Sequence, residues 1–323
     1  MKTVMVTEIG TKAELAEIEI PQIDDNSVLI KTYFSGVSVG TEMWIATGRR
    51  LEGRKVPFPA AGYQVTGEIV ETGRNVDGIK QGDMVAAFCS NAHSQYVKAS
   101  KDLTHVLRSK SKLKESALFV MPCVGAHALK HARVETGENV LIVGQGLIGQ
   151  CTAQLARLRG AYVVASEVSP ERIAISQKYC ADFVINARQG KLPDLIKPIC
   201  PEGFDVVIES TGFEKLLEDA ICCVKGGGLN QGGRFVFEGW YPDSISYNFH
   251  MAHSRQISCY YPCFIGPKAD REGVLRLIDA GKIDILPLIS HVIPWQKAAE
   301  VYTRLFTKER DHFNGIVFDW TVR

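Results

Sequence analysis

ENVLIVGQGLIGQCTAQLARLRGAYVVASE, residues 138–167, decides the fold of this chain. Val140 to Val143 is a short, apolar, β-rich run, and GQGLIG follows it with Gly144, Gly146 and Gly149 at GxGxxG spacing. Gln150 to Leu158 then carries helical periodicity, Tyr162 to Ala165 is apolar again, and Glu167 closes the second strand. Each glycine has a separate task. Gly144 permits the tight turn, Gly146 lets a pyrophosphate approach the backbone, and Gly149 lets helix and strand pack closely. The helix start offers free N–H groups and a positive dipole end to phosphate. With a strand before it, a helix after it and an acid at the right distance, the block reads as a dinucleotide-binding unit. Leu147 and Ile148 complete its cofactor-facing turn. Glu167 can accept hydrogen bonds from both ribose hydroxyls and repels a 2′-phosphate, which favours NAD over NADP. Arg172 lies just beyond, where it can stack on adenine, contact a 2′-phosphate or simply be solvated.

Outward from this block the chain alternates strand and helix. DVVIESTG (205–212), GGRFVFEGW (232–240) and QISCYYPCF (256–264) each read as a buried strand ending in a turn. Such alternation predicts a parallel sheet with helices on both faces and ligands at the carboxyl ends of the strands. Thr211, Gly239 and Trp240 fall at those ends and join the cofactor-binding set. The first third differs. VLIKTYF, YQVTGEIVETG and GDMVAAF are β-rich and separated by glycine-bearing turns, which predicts a small β-barrel domain. After Pro267 come a helix (271–280), the LPLISHVIPW segment, another helix and a closing GIVFDW strand.

Composition excludes several classes. The 323 residues carry a formal charge of +1 with no basic run, so nucleic-acid binding has no electrostatic support. No apolar stretch spans a bilayer, and MKTVMVTEIG lacks a signal-peptide core. Nine cysteines without a spaced framework point to free thiols in a reducing cytoplasm. Cys89 and His93, four apart, are poor evidence for a metal.

The pieces SGVSVGTE, GYQVTGEIVETG, GDMV, GAHAL, GQGLIG and PLISHVIPWQKAAEVY, in that order, resemble the medium-chain dehydrogenase/reductase superfamily. The resemblance implies an α/β protein: a GroES-like β-barrel catalytic domain (1–123 and 267–323) interrupted by a Rossmann domain (124–266), with cofactor and substrate in the cleft between them. It also implies a homodimer or homotetramer, with Gln256 to Phe264 able to pair across a two-fold axis.

The family's zinc positions have changed. Ser38 stands where the cysteine ligand would be, Tyr63 and Gln64 replace the histidine and glutamate of the GHE block, and Met121 takes the third ligand position. The four-cysteine structural zinc loop is missing too, since Ala87 to Tyr96 contains Cys89 alone. A hydroxyl, a phenol and a thioether do not make a zinc site, so no metal is expected. Zinc lowers the pKa of bound water from about 15.7 to about 7 and acts similarly on an alcohol. Another group must then handle the substrate proton. The resemblance aligns Thr41 with the family's proton-relaying hydroxyl and Glu42 with the acid that orients the lost histidine. That suggests a catalytic cluster of Thr41, Glu42 and Tyr63, with the phenol depressed from its usual value near 10 by a neighbouring positive charge. The bland readings stand beside it: Tyr63 filling vacated volume, and Glu42 capping the TEMWIATG helix.

Trp44, Tyr241, His250 and His253 are candidate substrate-pocket residues, although single histidines are more often structural. The expected function is zinc-independent, NAD-dependent hydride transfer between nicotinamide and a secondary alcohol or ketone on a small polyhydroxylated substrate such as a sugar or cyclitol. An enone or quinone reductase is one alternative. A dinucleotide-binding protein without catalysis is another.

Overall fold

The computed structural model describes residues 1–50, 55–229, 232–241 and 243–322. Two compact units divide the chain: Met1–Val120 with Glu272–Gly281 and Ile289–Arg323, and Met121–Arg271 with Lys282–Leu288. The short Lys282–Leu288 segment joins the second unit. Arg323, the expected last residue of the returning segment, lies outside the described residues.

The first unit begins with strands β1 (Lys2–Glu8), β2 (Lys12–Glu17), β3 (Ser27–Val37), β4 (Phe58–Pro59), β5 (Gln64–Thr72), β6 (Met84–Phe88), β7 (Tyr96–Ser100) and β8 (Thr104–Val106). Its early helices are α1 (Val39–Ala46) and α2 (Leu113–Ser116), and α3 (Val120–His131) opens the second unit. In that unit β9 (Asn139–Val143), α4 (Leu147–Leu158), β10 (Tyr162–Glu167), α5 (Pro170–Tyr179), β11 (Phe183–Asn186), α6 (Leu192–Ile196), β12 (Val206–Glu209), α7 (Leu217–Cys222), β13 (Arg234–Phe237), α8 (Phe249–His253) and β14 (Ser258–Tyr260) alternate as expected. The chain then runs through α9 (Lys268–Asp279), β15 (Ile289–Pro294), α10 (Ala298–Arg304) and β16 (Gly315–Asp319).

In the second unit the parallel strands are ordered β11-β10-β9-β12-β13-β14. This is the 3-2-1-4-5-6 order, which reverses beside β9 and makes the crevice there the ligand site of a doubly wound sheet. Both faces of the sheet are covered, so its strands are apolar throughout. Val140, Leu141, Ile142, Val206, Val207 and Ile208 are all fully buried. Each such side chain contributes roughly 1.5–3 kcal/mol by leaving water.

Helix α5 starts where local chemistry dictates. Ser169 is its N-cap, accepting the Arg172 N–H at 3.4 Å, and Pro170 follows at the first helical position.

The first unit is mainly antiparallel, with sheets ordered β2-β1-β4 and β15-β16-β3-β5-β6-β8, and β7 paired to β3. Its two cores separate by face. Val28, Ile30, Val65, Ile69, Val85 and Val97 form one, while Val4, Val37, Met43, Tyr302, Ile316 and Phe318 form the other. Parallel pairing of β15 with β16, and of β16 antiparallel to β3, stitches the C-terminal segment into the first unit. The cysteines are free thiols, and no helix among the described residues is long and apolar enough to cross a membrane.

Candidate active site

The glycine turn follows β9. Gly144 has φ +94°, and a Cβ there would lie 2.5 Å from the Thr211 methyl. At Gly149 a Cβ would fall 2.1 Å from the Gly144 carbonyl oxygen, so only glycine lets the helix start this close to the strand. Gly146 is different: a Cβ there would meet nothing within 4 Å, leaving open space in front of the first turn of α4. Leu147 and Ile148 begin that helix, half-buried. The turn therefore has the shape a pyrophosphate requires, and the residues fit a dinucleotide.

Glu167 is nearly buried behind this turn. One carboxylate oxygen accepts the Gln145 N–H at 2.9 Å, and the other accepts the N–H groups of Val168 (2.6 Å) and Ser169 (3.0 Å). The acid thus holds the glycine loop and the start of α5 together, a task its sequence position did not reveal. Arg172 lies half-buried in the first turn of α5.

Two further acids sit at the carboxyl ends of neighbouring strands. Glu209, at the end of β12, accepts the N–H groups of Thr211 (2.7 Å) and Gly212 (3.2 Å) and the hydroxyls of Thr211 and Tyr241. Thr211 and Gly239 are built into this knot, since the Gly239 N–H donates to the Glu209 carbonyl at 2.7 Å. Tyr241 was expected to line a pocket. Instead its hydroxyl is bound to Glu209 and its ring packs on the unit's core near Phe237. Trp240 remains exposed.

Glu238, just past β13, accepts the Thr152 hydroxyl at 2.8 Å and the Ser210 hydroxyl. Burial, reinforced by the Glu209 charge, pushes its carboxyl up to about 7. Sequence reading did not single out Glu209 or Glu238. The signal was present, since VVASE, DVVIE and RFVFE each end an apolar run on a glutamate.

His250 and His253 lie exposed on α8, their rings 6.3 Å apart, with His253 also 5.1 Å from Phe249.

The first unit holds a buried acid–imidazole pair next to Ser38. Glu42 and His93 are both fully buried, and His93 Nε2 is 2.8 Å from Glu42 Oε2. The other Glu42 oxygen accepts the Ser38 N–H at 2.7 Å, closing the start of α1 from within the helix. His93 Nδ1 lies 2.9 Å from Ser35 Oγ, which also accepts the Trp320 indole N–H at 2.9 Å. A chain of donors running Trp320, Ser35, His93, Glu42 satisfies every group if the ring is neutral with its proton on Nε2. The imidazole that the GHE block lost is thus supplied to the acid by the β6–β7 loop. Only glycine at position 62 leaves room for it, because a Cβ there would lie 2.6 Å from the ring.

Tyr63 is half-buried, tilted against Phe88 at 5.4 Å. Burial pushes its phenol up to about 12, and the Glu42 charge acts in the same direction. The hydroxyls of Ser38 and Thr41 and the Arg50 cation oppose the rise. The structure brings Thr41, Glu42 and Tyr63 together, but the phenol is raised rather than depressed. Trp44 is half-buried one turn along α1, with the Arg49 guanidinium 4.4 Å above its ring.

Zinc takes three or four protein donors from Cys, His, Asp and Glu. Among the described residues no three His, Cys, Asp or Glu side chains converge as a metal-holding group. Glu42 and His93 already bind each other, and Gln64 Oε1 accepts the Val120 N–H at 3.2 Å. The residues here do not fit a zinc ion.

Two family models match the chain: the alcohol dehydrogenase GroES-like domain over residues 24–114, and the zinc-binding dehydrogenase domain over residues 148–280. The chain belongs to the medium-chain dehydrogenase/reductase superfamily. It is an oxidoreductase of the alcohol and polyol dehydrogenase kind, with a GroES-like domain and a Rossmann domain.

Among its relatives, L-threonine 3-dehydrogenase of Pyrococcus horikoshii is 27% identical to this dehydrogenase, covering 90% of this chain and 91% of the relative. Sorbitol dehydrogenase of Bacillus subtilis is 26% identical over 67% of this chain and 70% of its own. Galactitol-1-phosphate dehydrogenase of Escherichia coli shares the fold, with a TM-score of 0.86 at 20% identity over 99% of this chain and 100% of that one.

Proposed function

We propose that this dehydrogenase is zinc-independent and NAD-dependent, and interconverts a secondary alcohol and a ketone on a small polyhydroxylated substrate such as a sugar or cyclitol. The observation that carries the reading is the pairing of an open Gly146 turn with the buried acid Glu167; the chain also carries Ser38, Tyr63 and Gln64 where the family's zinc ligands are expected. The substrate class rests on the sorbitol dehydrogenase relative.

The nicotinamide, when bound, supplies or accepts the hydride. The chain manages the proton. Tyr63, pushed up to about 12, holds its proton at neutral pH and donates it to the substrate oxygen as a ketone becomes an alcohol. Thr41 and Ser38 lie against the phenol and return a proton to it. Glu42 is already bonded to Ser38 and His93, so it acts on Tyr63 through its charge, keeping the phenol protonated. In the oxidative direction the phenol must first lose its proton, which the Arg50 cation, acting to lower its proton affinity, assists.

We further propose a cytoplasmic homodimer joined through β14, which is one of the two edge strands of the Rossmann sheet.

Metal analysis of the purified protein, combined with NADH and NADPH titrations and a panel of sugars and cyclitols, tests this reading. Metal-free protein that prefers NADH and oxidises members of the panel supports it. Stoichiometric zinc needed for turnover overturns the Tyr63 mechanism. Preference for NADPH with saturation of an enone C=C bond replaces the reading with an enone reductase. Tight NADH binding without turnover replaces it with a non-catalytic nucleotide-binding protein.

A further inference from the structure

Glu238 is unlike its two neighbours at the carboxyl edge of the Rossmann sheet. Glu167 and Glu209 each accept backbone N–H groups, which can only donate. Among the described residues the Glu238 side chain has two partners, the hydroxyls of Thr152 and Ser210, and it is 8% exposed. A hydroxyl can donate to a carboxylate or accept from a carboxylic acid. Thr152 makes the exchange complete. Its oxygen lies 2.8 Å from Glu238 and 3.0 Å from the Ile148 carbonyl, and its single proton can serve one of them at a time. With Glu238 ionised, Thr152 donates to the acid. With Glu238 protonated, the acid donates to Thr152, which turns its own proton to Ile148. Neither state strands a buried polar group.

Position gives this exchange a use. In a 3-2-1-4-5-6 sheet the dinucleotide lies across the switch point, one mononucleotide over each half. Glu167 closes β10 in the adenosine half, so the nicotinamide belongs to the half formed by β12, β13 and β14, where Glu238 sits. The charged or titratable groups facing Glu238 are the Glu209 carboxylate from β12 and the Cys151 thiol from α4. No cation is among the causes that set its proton affinity. The oxidised nicotinamide ring is cationic and the reduced ring neutral, while the pyrophosphate is common to both.

We propose that Glu238 sets the relative affinity of this dehydrogenase for oxidised and reduced cofactor, binding NAD+ with its carboxylate ionised and NADH with its carboxyl protonated. The inference rests on the NAD reading above. Ionisation then strengthens NAD+ binding relative to NADH. The ratio of the NADH to the NAD+ dissociation constant rises with pH through the neutral range, by a factor on the order of ten for one partly screened charge. Over that range a proton is released when NADH is exchanged for NAD+.

Binding of NAD+ and NADH is measured by calorimetry from pH 5.5 to 8.5 for the wild type and Glu238→Gln, in buffers of differing ionisation enthalpy so that proton release is counted directly. The amide keeps the shape and both hydroxyl contacts and removes the titration. A roughly tenfold rise in the ratio for the wild type, flat in Glu238→Gln, supports the proposal. The same slope in both proteins, or a flat ratio in the wild type, overturns it while leaving the NAD reading intact. Proton release by the wild type alone answers the question if the variant does not fold, since none at neutral pH overturns the proposal. Failure of both nucleotides to bind overturns the cofactor reading, and the proposal with it.

Discussion

Glu42 and His93 hold each other at 2.8 Å in the interior of the first unit, with neither side chain exposed to solvent. Glu42 lies on α1 and His93 on the loop between β6 and β7, 51 residues apart. The edges of the Phe318 and Tyr302 rings pack around the imidazole at 4.9 and 5.8 Å. Burial and the direct contact make the pair one unit.

Removing the ring leaves Glu42 buried without its side-chain donor. His93→Ala is expected to lose about 3–5 kcal/mol of stability in denaturant titration. His93→Gln, whose amide can still donate toward Glu42, recovers part of that loss. A His93→Ala protein within about 1 kcal/mol of wild type would show that the pair is not what holds α1 against the β6–β7 loop.

Tyr63→Phe removes the proposed proton donor and leaves its packing. Turnover is expected to fall by about 10²-fold, with cofactor dissociation constants unchanged. Because the phenol is pushed up to about 12, it stays protonated across the physiological range. Ketone reduction by the wild type should therefore be level from pH 6 to about 9, whereas alcohol oxidation, which needs the phenolate, should rise with pH. Steady-state profiles in both directions check this, and near-normal turnover in the phenylalanine variant would remove Tyr63 from the mechanism.

The glycine turn separates folding from binding. A methyl at Gly146 meets no protein atom within 4 Å, so Gly146→Ala should melt within a degree or two of wild type yet bind NADH about tenfold or more weakly. A methyl at Gly149 falls 2.1 Å from a backbone oxygen, so Gly149→Ala should lose both stability and binding. Paired thermal melts and NADH fluorescence titrations distinguish the two. Unchanged NADH affinity in Gly146→Ala would remove the open face of the turn from the binding site.

Glu238 also makes stability depend on pH. Its folded carboxyl is raised to about 7 from an ordinary 4.5, so the folded state holds the proton more tightly than the unfolded chain does. Below about pH 4.5 both states are protonated and the acid carries no ionisation penalty. Between about 4.5 and 7 the penalty grows, and above 7 it is complete, on the order of 3 kcal/mol. Glu238→Gln should accordingly gain little stability near pH 5 and most of that amount near pH 8. Denaturation curves at both pH values test the sign, and an equal effect at the two would exclude an ionising Glu238.

Much of the second unit was legible because its physics is local. The GxGxxG turn needs glycines at fixed offsets, and strands buried on both faces must be apolar along their length. Residues 138–167 therefore disclose their own βαβ fold. The pattern also exposed the limits of local reading. Glu167 was recognised as an acid closing a strand, but the same ending at Glu209 and Glu238 passed unnoticed. Carboxylates in these places gain meaning only from the hydroxyls and N–H groups that other strands bring to them.

The chain's order of residues determined by itself the apolar strands, the glycine turn and the hydroxyl-bearing side chains of Ser38 and Tyr63. All of these depend on side-chain type and short spacing. Only the tertiary structure decided that His93 binds Glu42, that Tyr241 turns inward to Glu209, and that Glu238 meets Thr152. Those partners are 51, 32 and 86 residues apart, and burial raises the proton affinity of Tyr241 and Glu238. Burial belongs to the folded whole, since it depends on which distant segments exclude water from each group.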